Sequence, residues 1–125
     1  NFEQFLAQLC LAIAAGNAGA KTRIENCYFD LNRVAIEFGY DVPRNAWVTI
    51  SACLFRSNHQ NHILVDNAFD VTIEANAFLP SNLGDNQVVV MGASDAITIK
   101  GCSFGQPANL ALPGESSLLV GNVGL

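Results

Sequence analysis

Charge is what this chain has least of, and cations are the scarcer sign. Six Lys and Arg stand against eleven Asp and Glu, only 14% of the 125 residues are charged, and the net charge is −5. A nucleic acid partner requires clustered cations to neutralise phosphates, and six scattered basic residues form no such patch. Long apolar runs are missing too. Half of the residues are hydrophobic, yet no stretch approaches the ~18 uninterrupted apolar residues of a membrane span. The apolar N-terminal segment lacks the basic flank of a signal peptide. There is no Asn-x-Ser/Thr sequon and no low-complexity tail. The four cysteines, Cys10, Cys27, Cys53 and Cys102, have neither CxxC spacing nor the short spacing of a metal site, which points away from a disulfide framework and a thiolate centre. No cofactor or metal is expected.

What is present is a repeat. Phe5, Phe29, Phe55, Phe78 and Phe104 follow one another at 24, 26, 23 and 26 residues. The last four close one motif: Thr22-Arg-Ile-Glu-Asn-Cys-Tyr-Phe29, Val48-Thr-Ile-Ser-Ala-Cys-Leu-Phe55, Val71-Thr-Ile-Glu-Ala-Asn-Ala-Phe78 and Ile97-Thr-Ile-Lys-Gly-Cys-Ser-Phe104. A period in this range marks a stacked solenoid, whose core grows as a column because each repeat packs on its neighbours.

Within each copy the pairs 22/24, 48/50, 71/73 and 97/99 are apolar or β-branched around a polar residue, the period-2 pattern of a strand with one buried face. Cys27, Cys53, Asn76 and Cys102, and then the Phe, are expected to point inward. Asn26, Ala52, Ala75 and Gly101 are expected at a bend, where Asn or Gly suits a positive φ. Three of the four cysteines thus form an internal column, in keeping with a thiol's behaviour as a small buried hydrophobe. A second strand is read before each motif at Val34-Ala-Ile36, Ile63-Leu-Val65, Val89-Val-Met91 and Leu118-Leu-Val120, with one longer turn at Gly39 to Ala46.

This arrangement resembles the right-handed, pectin-lyase-like parallel β-helix proteins, whose coils carry V-x-I-x-x-N-x-F, and the match covers residues 20 to 122. The resemblance implies an all-β, right-handed single-stranded parallel β-helix of about four to five coils. The family stacks Asn at the bend, whereas this chain keeps it only at Asn76, so the asparagine ladder is expected to be mostly replaced by sulfur. A leucine-rich repeat shares the spacing but needs a further Leu where this chain has Gly19, Asn45, Ala68 and Ser94. Residues 1–19 fit either an extra coil or a capping helix, and 20–125 the regular coils. By the period the next buried Ile falls near position 128, so the chain is expected to be a segment of a longer β-helix.

Alternation then sets the outward columns. Arg23, Thr49, Thr72, Thr98 and Glu25, Ser51, Glu74, Lys100 read as a solvated face. Ala35, Leu64, Val90 and Leu119 read as an apolar outward column, to be covered by another segment or by partner subunits, as in the homotrimers of tailspikes that the resemblance brings in. The candidate catalytic pair is Glu37 and Asp66, expected to stack in adjacent coils at the ~4.8 Å ladder spacing, near the ~5 Å carboxylate separation of retaining glycosidases. Carboxylates at strand ends also cap turn amides. The family's Asn-Thr-Asp, Asp-Asp, Gly-His-Gly and Arg-Ile-Lys segments are absent. Arg33, Arg44 and Arg56 match a lyase's basic residue by type alone. His59 and His62 read as a polar turn with no third metal ligand in view. Tyr40 and Trp47, flanking the longest turn, are candidate sugar platforms.

The resemblance implies recognition or processing of polysaccharide by an extracellular or virion-associated protein. The alternative is a structural stalk or fibre segment without catalysis.

Overall fold

The computed structural model describes residues 11–13, 21–58, 60–79, 86–91, 93–105, 110–111 and 117–124. These residues are all-β, and every strand pairing among them is parallel. In the larger sheet β1 (Leu11–Ile13), β4 (Val34–Ser51), β6 (Asn61–Glu74), β8 (Asn86–Met91) and β11 (Leu110–Ala111) lie side by side. The second halves of β4 and β6 continue that sheet into β2 (Thr22–Glu25), β9 (Asp95–Lys100) and β12 (Leu118–Val120). The smaller sheet holds β3 (Tyr28–Asp30), β5 (Leu54–Arg56), β7 (Ala77–Phe78) and β10 (Ser103–Phe104).

The period-2 pattern places the core as expected. Ile24, Ile50, Ile73 and Ile99 pair in register and are buried, as are Val48, Val71 and Ile97 one step before. Phe29, Phe55, Phe78 and Phe104 pair likewise in the smaller sheet, with successive ring centroids 5.2, 4.9 and 4.7 Å apart and nearly parallel planes. Burying each such ring contributes about 2–3 kcal/mol, and stacking adds about 0.5–1.5 kcal/mol per pair.

Sharp corners join the arms. Asn26, Ala52, Ala75 and Gly101 all have positive φ, between 53° and 61°. A second corner uses Trp47, Asp70 and Ala96, and a third Leu31 and Ser57, at φ of 49° to 63°. The left-handed region costs a non-glycine L-residue roughly 1–2 kcal/mol, so the stacked strands on either side hold these corners against their own preference.

The first corner carries a hydrogen-bonded column that the sequence reading undervalued. Asn76 Nδ2 donates to the Ile50 carbonyl at 3.0 Å, and Asn122 Nδ2 to that of Ile99 at 2.9 Å. The thiols do the same more weakly: Cys53 Sγ faces the Ile24 carbonyl at 3.8 Å and Cys102 Sγ that of Ile73 at 3.6 Å. Each asparagine also accepts the backbone N–H of the cysteine one rung back, Cys53 N to Asn76 Oδ1 and Cys102 N to Asn122 Oδ1, both at 2.9 Å. Amide and thiol alternate from residue 53 to 122, and sulfur contributes donors as well as volume.

Register overturns three expectations. Leu118–Val120 is not the second strand of a coil: it pairs with Thr98–Lys100, placing Leu119 opposite Ile99. Gly121, at φ 64°, and Asn122 follow as bend and ladder residues, so a fifth motif ends the described chain. The position predicted near 128 is held by Leu119, because a shorter loop precedes it. The Ala35, Leu64, Val90, Leu119 column does not form either. Leu64 stands opposite Glu37 and Val89, Val90 opposite Val65, Leu119 on the other arm, and Ala35 is itself fully buried. His62 is no turn residue but a buried member of β6, whereas His59 lies outside the described residues.

Of residues 1–19 the structure describes 11–13, which extend the sheet beside Ile36–Phe38. The long turn at Gly39 to Ala46 is continuous with β4, and its surplus residues bulge where the register shifts between Gly39 and Arg44 and between Asn45 and Val48.

Candidate functional site

Among the described residues two surface grooves run beside the long strands, and the candidate carboxylates and aromatics divide between them. The smaller, about 240 Å³, takes Glu37, Tyr40, Asp41 and Asp66 in its wall. The larger, about 610 Å³, takes Trp47.

Glu37 and Asp66 do share a groove, but the expected direct stacking is corrected by the register. Glu37 lies opposite Leu64, and Asp66 opposite Gly39. One ladder step and two residues along the strand put their Cα atoms about 8 Å apart. Gly39 is what lets Asp66 sit there, since a Cβ on it would lie 2.7 Å from the Asp66 carbonyl oxygen and 2.9 Å from its Cβ. Tyr40 is buried; its hydroxyl has no hydrogen-bond partner among the described residues, and the Arg44 guanidinium lies 5.4 Å from its ring centroid. One ring face is thereby taken by a cation–π contact, and little of the ring reaches the surface.

The basic candidates are likewise engaged. Arg56 bonds the buried Asp30 carboxylate and lies over the Tyr28 ring, whose hydroxyl reaches the same oxygen of Asp30 at 3.3 Å. Arg33 Nη1 donates to Gln60 Oε1 at 2.7 Å. Among the described residues no group of three or more His, Cys, Asp or Glu could hold a metal ion, and no helix is long and apolar enough to cross a membrane.

The larger groove is built by two outward columns. Arg23, Thr49, Thr72 and Thr98 pair in register along one. Along the other, Trp47, Asp70 and Ala96 occupy the left-handed corner within β4, β6 and β9, two residues before the threonine of each. That backbone turns Trp47 outward, with 40% of its surface exposed. Lys21 and Arg23 line one end, and Arg23 leans on Glu25 at 3.7 Å. A linear ligand laid along the stack meets one hydroxyl per rung at about 4.8 Å, an aromatic face at one rung and a carboxylate at the next.

Sequence reasoning named Trp47 and set Thr49, Thr72 and Thr98 in an outward column, but read that column only as a solvated face and passed over Asp70. The available signal was the recurrence of Thr at an outward position, where packing does not dictate the residue. Its β-branched preference for strands offered a sufficient reason to look no further.

Comparison with protein-family models, with curated proteins and with solved structures finds no match to this chain.

Proposed function

We propose that this chain is a segment of a right-handed parallel β-helix of the pectin-lyase-like kind, about four to five coils long, and that it recognises polysaccharide along the Trp47–threonine groove. The preference of parallel crossovers supports the right hand, and the in-register columns of Ile and Phe support a stacked-coil reading. The observation that carries the binding reading is the exposed Trp47 beside the ladder of Thr49, Thr72 and Thr98. An aromatic face suits the apolar side of a pyranose, and hydroxyls at rung spacing suit a repeating polymer. An extracellular or virion-associated setting goes with that ligand.

The test is binding of the folded chain to a panel of polysaccharides, followed by titration calorimetry on any ligand found. Trp47→Ala is expected to lower affinity tenfold or more without unfolding the chain, and Thr72→Val to lower it less. Unchanged binding by Trp47→Ala overturns the groove, and no glycan binding by the folded chain overturns the function.

A second reading, a structural stalk without catalysis, draws on the diagonal placement of Glu37 and Asp66 and on the closely stacked Phe column. Glycan turnover abolished by Glu37→Gln would count against it and restore processing by the smaller groove.

A further inference from the structure

His62 stands apart from both grooves. It lies on β6, 1% exposed, with its ring tilted against the side of the stacked Phe55–Phe78 pair at centroid distances of 5.7 and 5.5 Å. Its Nδ1 is 2.8 Å from Asn58 Nδ2, and its buried Nε2 has no hydrogen-bond partner among the described residues. Asn58 is fully buried as well, and its Oδ1 accepts from both the backbone N–H and the Nδ2 of Asn32, each at 3.1 Å. Asn58 Nδ2 also lies 3.4 Å from the Phe29 carbonyl. A backbone N–H can only donate, so the Asn58 oxygen must face Asn32 and its NH₂ must face the imidazole. Nδ1 is therefore an acceptor, and the neutral ring keeps its hydrogen on Nε2.

We propose that His62 is an acid-sensitive latch on this corner: a proton taken up at Nδ1 breaks the link to Asn58 and releases the hold of one rung on the next. The imidazolium carries N–H on both nitrogens, which sets two donors against each other at the 2.8 Å contact. Turning the Asn58 amide over relieves that conflict only by pointing its NH₂ at the Asn32 N–H. Either way a buried donor loses its acceptor.

Among the described side chains, the groups facing the ring offer the charge nothing. They are Phe55 on β5, Phe78 on β7 and Asn58 in the corner. By register, Ala35 on β4 and Gln87 on β8 lie opposite His62. Of the charged residues of this corner, Asp30 and Arg56 are joined to each other and the Arg33 guanidinium is held by Gln60.

Burial lowers the folded imidazole from 6.5 to about 4. Since the opened chain binds the proton more readily than the closed one, the latch is fully engaged above 6.5 and its contribution is lost as pH falls toward about 4. Each unit crossed below the unfolded value favours opening by about tenfold.

The experiment follows the His62 ring titration and the Asn32 amide exchange by NMR from neutral to acid pH, in the whole chain and in His62→Gln, whose side-chain oxygen can still accept from Asn58 without titrating. Expected is a His62 ring that titrates well below 6.5, with Asn32 protection falling on the order of 100-fold over the two units below that value and no such fall in His62→Gln. The same fall in both proteins, or a ring titrating near 6.5 with Asn32 still protected, overturns the latch. Should His62→Gln not fold, the wild type decides alone: Asn32 exchange that does not track the His62 titration overturns it.

Discussion

Two buried polar columns tie the rungs together, one at each end of the Phe strands, and they meet the same need with different chemistry. The column of Cys53, Asn76, Cys102 and Asn122 divides its work: each member donates to an Ile carbonyl one rung back, and the asparagine oxygens also accept a backbone N–H at 2.9 Å. In the other corner Asn58 carries several roles at once, accepting twice from Asn32 while facing Phe29 and His62. A weak donor is sufficient where each link is small and repeated. Where one amide joins four partners, no thiol can replace it.

One substitution made in both places tests that contrast. Asn58→Cys orphans the buried Asn32 backbone N–H and takes one of two acceptors from Asn32 Nδ2, which keeps the Asp30 carbonyl; about 3 kcal/mol is expected, since an orphaned buried group costs about 1–3 kcal/mol. Asn76→Cys keeps a donor near the Ile50 carbonyl and strands only the Cys53 N–H; about 1 kcal/mol is expected. Urea unfolding at neutral pH measures both, and equal losses would erase the distinction.

The columns should also part company in base. Burial raises the thiols of Cys53 and Cys102 above their ordinary 9.0. Because the unfolded thiol ionises first, their contribution is intact below 9.0 and lost as pH rises through the raised folded values. The Asn58 corner weakens in acid instead. Unfolding followed between pH 8 and pH 10 should show an alkaline decline in the wild type that is shallower in the Cys53→Ala, Cys102→Ala variant, while His62→Gln leaves it unchanged.

Those columns differ in how far they can be read from sequence, for a physical reason. Inward Ile, Phe and Cys recur because a column of fixed cross-section accepts only a few side chains, so strands, corners and core follow from the period. Asn32, Asn58 and His62 form a corner where only two copies are alike, and partners of unlike type leave no periodic trace. The last motif was missed because Leu119 and Gly124 stand where the other copies have Ile and Phe. Gly121-Asn122 marked it nonetheless, matching the bend-and-ladder pair Ala75-Asn76. At the site, the error over Glu37 and Asp66 came from treating Ile36 and Val65 as equivalent inward residues, whereas Ile36 lies opposite Ile63 and it is Phe38 that faces Val65. The threonine column was in view, but the groove escaped notice because the left-handed corner that sets Trp47 and Asp70 beside it has no sequence signature.

The corner backbone offers a finer comparison. Gly101 occupies φ 61° without penalty, but Ala52 and Ala75 hold φ 53° and 54° with a Cβ. Ala75→Gly should therefore stabilise the chain by up to about 1 kcal/mol, the relief of left-handed strain being partly offset by the greater freedom of unfolded glycine. Gly101→Ala should destabilise by a similar amount. Paired melting curves decide it, and a loss in Ala75→Gly would mean that the methyl group packs against something worth more than the strain.

The smallest effect tests whether alternation of thiol and amide is needed at all. In Cys102→Asn the new amide lies between Asn76 and Asn122, where its NH₂ can donate to the Ile73 carbonyl now faced by the thiol at 3.6 Å. Its oxygen can take the Asn76 backbone N–H, as Asn122 takes that of Cys102. A bond of that kind is worth about 0.5–1.5 kcal/mol, against which stands the desolvation of a second amide in a column sized for sulfur. A gain of about 0.5 kcal/mol in urea unfolding is expected. A loss of similar size would show that the thiols are there for their volume, and that an amide fits this column only with sulfur on either side.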